Sequence, residues 1–144
     1  MAQQLTGVRK SDPEWVSQPT PATIMVGMFT SPIDASGRIA IPEPFLRVLN
    51  VASKTEIGLC PSSFYKCLEG CGVDFAPHMI LNNPIRTPID SAGRIEVPVE
   101  WLTRVGITDQ VAIIGLGRFF QIWNPHHFDD ALADARQRLV VKQH

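Results

Sequence analysis

The sequence predicts a mainly β, α+β fold made of two tandem half-domains, and three observations carry that expectation. The segment Ser31 to Pro42 (SPIDASGRIAIP) returns as Thr87 to Pro98 (TPIDSAGRIEVP) at a constant offset of 56. Over the 21 ungapped positions from Ser31 to Val51, eight are identical, where unrelated sequence would match at roughly one or two. Around each copy, apolar residues alternate in the strand rhythm. Finally, a unit of about 40 residues buries too little apolar surface to stand alone, so two copies can complete each other's core.

The elements follow in order. Residues 1–24 are rich in Pro, Gln and Ser, with Arg9 and Lys10 balancing Asp12 and Glu14, and read as a disordered tail. Ile24, Val26 and Met28 begin a strand, a hairpin crosses at Asp34 to Gly37, and Ile39 and Ile41 alternate with Arg38 and Ala40 beyond it. Pro42 suits the first turn of a short helix because its missing N–H is an orphan donor there, with Phe45, Leu46 and Leu49 on the buried face. Pro98, Trp101, Leu102 and Val105 repeat this pattern.

Two strands then follow in each copy: Thr55 to Leu59 and Phe64 to Leu68, against Gln110 to Leu116 and Phe119 to Trp123, with Phe64 opposite Phe119. Gly115, Gly117 and Arg118 mark the tip of the second hairpin. Gly70 to Pro84 is a linker. The first half-domain with its linker spans 25–80, the second 81–144. The second ends in a helix capped by Asn124 with Pro125 at N1, carrying Phe128, Leu132, Ala135 and Leu139 on one face. Asp129 and Asp130 near its start, and Arg136, Arg138 and Lys142 near its end, match the helix dipole in sign. That face is expected to pack on the body of the protein or on another subunit.

Composition narrows function. A net charge of −1 offers no basic field, so nucleic-acid binding must come from placed Arg and Lys, and a strong nonspecific DNA binder is disfavoured. No apolar run approaches the roughly 18 to 20 residues of a membrane span. Three cysteines without a framework spacing and no leader-like start point to a reduced, cytoplasmic protein.

Asp at the first and Gly at the fourth position of a turn explain Asp34, Gly37, Asp90 and Gly93. They do not explain Arg38 and Arg94, which recur where any polar residue would serve. Two guanidinium forks at equivalent places could meet phosphates or guanine in the major groove. Alternatively, each Arg pairs with its own turn Asp or with the Asp of the other copy and fixes the interlock; both roles are compatible. Arg86, Arg47 and Arg104 are candidate phosphate neighbours.

Cys60, Cys67, Cys71 and His78 lack the tight knuckle spacing of a structural zinc site, and the cysteines read as small core residues. His126 and His127 fall in the first turn of the last helix and read as exposed. No triad, phosphate loop or supported carboxylate pair is visible, so no enzyme, cofactor or small-molecule substrate is expected.

The paired segments Asp34 to Pro42 and Asp90 to Pro98 resemble the twin Asp-x-x-Gly-Arg motifs of the MraZ family, bacterial transcriptional regulators of division and cell-wall genes built from tandem SpoVT/AbrB-type half-domains. Val111 to Trp123 and the helix after it also resemble that family, and the likeness covers about residues 27–135. It implies a swapped-hairpin β-barrel, further assembled into homo-oligomeric rings on double-stranded promoter repeats at the nucleoid, with Arg38 and Arg94 facing DNA. Ring assembly would let weak contacts add through effective concentration. Many relatives carry Lys where Ser36 stands, and Ser36 offers DNA only a hydrogen bond. The short linker and the tail before Met25 are further departures. The competing readings are an AbrB-type antitoxin and an oligomeric scaffold without DNA contact. An antitoxin of this type would carry one half-domain and a disordered tail.

Overall fold

A computed structural model describes residues 24–50, 56–75 and 83–142. The tail assigned to 1–24 lies outside them except for Ile24, as does His78.

The chain runs β1 (Met25–Pro32), β2 (Arg38–Ala40), α1 (Glu43–Asn50), β3 (Glu56–Pro61), β4 (Leu68–Gly72), β5 (Ile85–Pro88), β6 (Arg94–Glu96), α2 (Val99–Arg104), β7 (Gln110–Gly117), β8 (Phe119–Trp123) and α3 (Pro125–Lys142). The larger sheet is antiparallel, in the order β1-β7-β8-β4-β3-β5, and β2 pairs with β6 in a separate ribbon. The strand, strand, helix, strand, strand order expected for each copy is present twice.

The two copies are woven together. β1 of the first half pairs with β7 of the second, and β5 of the second with β3 of the first. The turn at Asp34 forms as expected, with Gly37 N–H donating to the Asp34 carbonyl at 3.0 Å. It is not the tip of a continuous hairpin: Ile33 and Ile39 make one isolated bridge, after which β1 and β2 both take partners from the other half. Ile39 faces Ile95 on the ribbon, and these are equivalent positions of the repeat. A pseudo-twofold axis therefore passes between them.

The axis also corrects the repeat alignment. Glu56 lies opposite Pro88 as Gln110 lies opposite Pro32. Following the ladders outward, Gly58 opposite Cys71 matches Ala112 opposite Trp123. Leu68, rather than Tyr65, is thus the counterpart of Phe120, and Cys67, rather than Phe64, that of Phe119. Phe64, expected in a strand, projects from the preceding loop at 88% exposure, because Ser62 Oγ accepts from the Phe64 and Tyr65 N–H groups at 3.1 Å and holds a turn there. β4 accordingly extends to Gly72, into the stretch assigned to the linker.

The expected barrel is not closed by backbone pairing, since β1 and β5 remain edges of the larger sheet among the described residues. β2 and β6 span three residues each, and Pro42 and Pro98 have no N–H with which to prolong the ladder. They are too short to join the two edges.

The core lies between the sheet and the layer of α1, α2 and the ribbon. Phe45 and Leu49 from α1, Leu102 and Val105 from the α2 segment, Ile39, Ile95, Ile57, Leu59, Val111, Ile113, Phe120 and Ile122 are buried together. Phe45 stands edge-on to Phe29 at 5.3 Å and tilted to Phe120 at 5.9 Å. On the opposite sheet face, Trp123, Ala112 and Cys67 form a second cluster under Phe128 and Ala131 of α3. Only the start of α3 docks. Leu132, Ala135 and Leu139, expected on its packed face, are exposed, because the helix runs past the cluster its first turns cover.

Candidate nucleic-acid interface

Each loop is wired around its aspartate. Asp34 Oδ1 accepts from the backbone N–H groups of Ser36 and Arg38, both at 2.9 Å, and from Ser36 Oγ at 2.9 Å. Asp90 Oδ1 accepts from the N–H groups of Ala92 at 2.8 Å and Arg94 at 2.9 Å. Gly37 and Gly93 close the turns at φ 80° and 76°, in the left-handed region that glycine enters without a Cβ penalty.

The second carboxylate oxygen crosses to the other half. Arg38 Nη1 donates to Asp90 Oδ2 at 3.1 Å, and Arg94 Nη1 to Asp34 Oδ2 at 3.3 Å. Of the readings open from sequence, pairing with the Asp of the other copy is the one observed. The Arg38 backbone N–H bond, ahead of the Arg94 charge, holds the Asp34 carboxyl below its ordinary value; for Asp90 the leading cause is the equivalent bond from Arg94. Both carboxylates are thus committed as anions.

The guanidinium groups are only partly used. A guanidinium carries five N–H donors in a planar fork, and the Arg38 and Arg94 side chains remain 43% and 47% exposed. They stand with Asp34 and Asp90 on one surface around the pseudo-twofold axis. Two arginines and two aspartates balance in charge, so the cluster offers oriented donors rather than a cationic field.

The other candidates are more dispersed. Ser36 is exposed at its loop tip, its hydroxyl directed to Asp34. Arg86 projects from β5, 4.0 Å from Glu56 and largely exposed. Arg47 pairs with Glu43 on α1 at 3.6 Å, and Arg104 is exposed on α2. Cys60, Cys67 and Cys71 are buried, and burial pushes the thiols of Cys67 and Cys71 up to about 12. No group of three or more His, Cys, Asp or Glu among the described residues is arranged to hold a metal. His126 is exposed as expected, but His127 is partly buried, and its Nδ1 has no hydrogen-bond partner among the described residues.

Two features escaped the sequence reading. On the axis in the large sheet, Gln121 Nε2 donates to Glu69 Oε2 at 3.1 Å and Trp123 Nε1 to Gln121 Oε1 at 2.9 Å. On the ribbon, Glu96 lies directly opposite Arg38, whereas Ala40 lies opposite Arg94. The second was signalled by the repeat itself, which breaks at Ala40 and Glu96.

Fold and loops together define a pseudo-symmetric protein of two intertwined halves carrying one reciprocal pair of Asp-x-x-Gly-Arg loops. Residues 84–142 match the family model described as "MraZ protein, putative antitoxin-like". Proteins named Transcriptional regulator MraZ are similar over most of the chain. That of Rhodospirillum rubrum is 31% identical over 122 residues, 69% of this chain and 79% of the relative. That of Rickettsia bellii is 29% identical over 125 residues, covering 73% and 83%, and that of Gluconacetobacter diazotrophicus 30% over 141 residues, covering 81% and 88%. The chain belongs to the MraZ family.

Proposed function

We propose that this protein is a sequence-specific, DNA-binding transcriptional regulator without enzymatic activity, in which Arg38 and Arg94 contact double-stranded DNA and Ser36 and Arg86 lie at the edge of the contact. The observation that carries it is the pair of half-exposed guanidinium forks which two separate loops deliver to one surface. Immobilised side chains lose less entropy on binding, and fork geometry suits phosphate or the guanine edge. The relatives' name, transcriptional regulator, supports the same reading.

The reading extends to promoter repeats of division and cell-wall genes, to a cytoplasmic, nucleoid-associated location and to a homo-oligomeric ring. The edges of β1 and β5, unpaired among the described residues, support self-assembly, since an exposed strand edge is a template for pairing. The strand exchange between halves supports a swapped-hairpin origin, with half-domains at 25–80 and 81–144 and a tail before them. The near-balanced charge of the loop cluster fits a regulator that gains affinity from several weak contacts at once.

The test is a capture of genomic fragments by the full chain, the region upstream of its own gene first, followed by mobility-shift titration across salt. The Arg38→Ala/Arg94→Ala variant should lose specific binding and flatten the slope of log K against log salt by about 0.9 for each phosphate contact removed. Affinity and slope equal to those of the unsubstituted protein would refute the DNA role and leave a protein-binding scaffold.

A further inference from the structure

The last helix, α3, outruns the surface it stands on. Phe128 and Ala131 pack on the Trp123 cluster, but Leu132, Ala135 and Leu139 are exposed, Leu139 at 60%. Phe128, Leu132, Ala135 and Leu139 follow spacings of four, three and four, the a/d rhythm of a helix that packs along another helix. The part of α3 beyond Ala131 is shorter than the roughly 12–15 residues that an isolated helix needs for stability in water. A partner along this stripe would give support that the body of the protein does not.

The charges say which partner. Asp129 and Arg136 are exposed on one flank of the stripe, two turns and about 10 Å apart along the axis. Between them, one turn from each, stand only Leu132 and Ala133, and neither charge has an ion pair among the described residues. On the other flank Arg138 is already paired with Asp134 of its own helix. A second α3 laid antiparallel brings the two Asp129/Arg136 flanks together, so that each aspartate meets the arginine of the other copy and Leu132 packs on Ala135. A parallel one would set this flank against Ala131 and Arg138 instead.

We infer that α3 docks on a second copy of itself: two chains pair antiparallel through Leu132, Ala135 and Leu139, with reciprocal Asp129–Arg136 ion pairs along one flank. The contact is isologous and closes after two copies, whereas a contact between different patches repeats into rings or filaments. It therefore goes beyond the strand-edge assembly proposed above, and it stands whether or not the loops bind DNA.

The experiment is sedimentation equilibrium of the full chain across protein and salt concentration, with the fold of each variant checked by circular dichroism in the tryptophan band. Leu132→Glu/Leu139→Glu changes only exposed side chains, so it should keep the fold and halve the mass of the assembly. Asp129→Arg and Arg136→Asp should each raise the dissociation constant of that step about tenfold at low salt, since each exposed contact is weak, is counted twice by the symmetry and turns from attraction to repulsion. Asp129→Arg/Arg136→Asp, which exchanges the two charges within one chain, should restore association, as only a self-complementary contact allows. A chain that is monomeric at every concentration, a mass unchanged in Leu132→Glu/Leu139→Glu, or a charge exchange as weak as the two single losses added would overturn the inference. So would a stripe covered by residues 1–23 of the same chain: deleting them would then tighten association, where no change is expected. The mobility-shift titration with Arg38→Ala/Arg94→Ala is read separately, and its failure would remove the DNA role while leaving this contact in place.

Discussion

The loops at Asp34 and Asp90 match one another nearly bond for bond, whereas the strands β4 and β8, equally placed about the same axis, share almost no residues. Each loop aspartate serves the arginine of the opposite half, so a change in one copy damages both. The central strands answer only to a shared volume. Gly70 lies opposite Phe120 and Leu68 opposite Ile122, and a Cβ built on Gly70 would stand 2.4 Å from the Phe120 ring. One copy supplies the ring and the other the space for it. Duplicated sequence stays alike where partners are reciprocal, and drifts where only their sum matters.

The sharpest way to break this comparison is Phe120→Ala. Phe120 is fully buried against Phe45, and loss of a core Phe costs about 3–5 kcal/mol, visible as a fall in the urea midpoint. Gly70→Ala should cost about 1–3 kcal/mol by overpacking. If the two positions share one volume, Gly70→Ala combined with Phe120→Leu will be more stable than the sum of the single losses predicts; strict additivity would argue that the positions are independent.

A third variant probes the asymmetry at the strand ends. Gly72 in the first half corresponds to Asn124 in the second, where Asn124 Oδ1 accepts from the His126 N–H at 2.8 Å and Asn124 Nδ2 donates to the Gly106 carbonyl. Asn124→Ala removes both the cap of α3 and its tie to the α2 segment. It should cost about 0.5–2 kcal/mol and lower the helical circular dichroism signal, with the loop arginines unaffected.

The smallest expected effect concerns acid. Asp34 and Asp90 have folded values lowered from 3.8 by the backbone N–H groups they accept from. Their contribution is therefore fully present above pH 3.8 and is lost as the pH falls below it through the folded values. Asp34→Asn/Asp90→Asn should flatten the stability profile in that acidic window and leave its shape near neutrality unchanged. A variant as acid-sensitive as the unsubstituted protein would show that these carboxylates carry no linked stability. Both side chains are partly exposed, so the effect should shrink with added salt.

Much of this molecule is legible in one dimension because it depends on local rules. Asp and Gly at the first and fourth positions specify the turns, Pro42 and Pro98 start the short helices, and Asn124 caps the last one. The repeat itself exposes the duplication and singles out Arg38 and Arg94. The extent of β4 was not legible, because Phe64 is a good strand former that a serine-held turn moves out of the sheet. Nor was the exposure of Leu132, Ala135 and Leu139, since a helical apolar stripe does not say how far the surface beneath it extends.

The amino-acid order by itself determined the halves, the turns, the helix starts and the pair of arginines, each through contacts within a few residues. Only the tertiary structure decided which aspartate holds which arginine, that Glu96 faces one of them, and that Gly70 makes room for Phe120. Those outcomes depend on strand register between distant segments, and register is set by the summed packing of a whole sheet face rather than by any short stretch of chain.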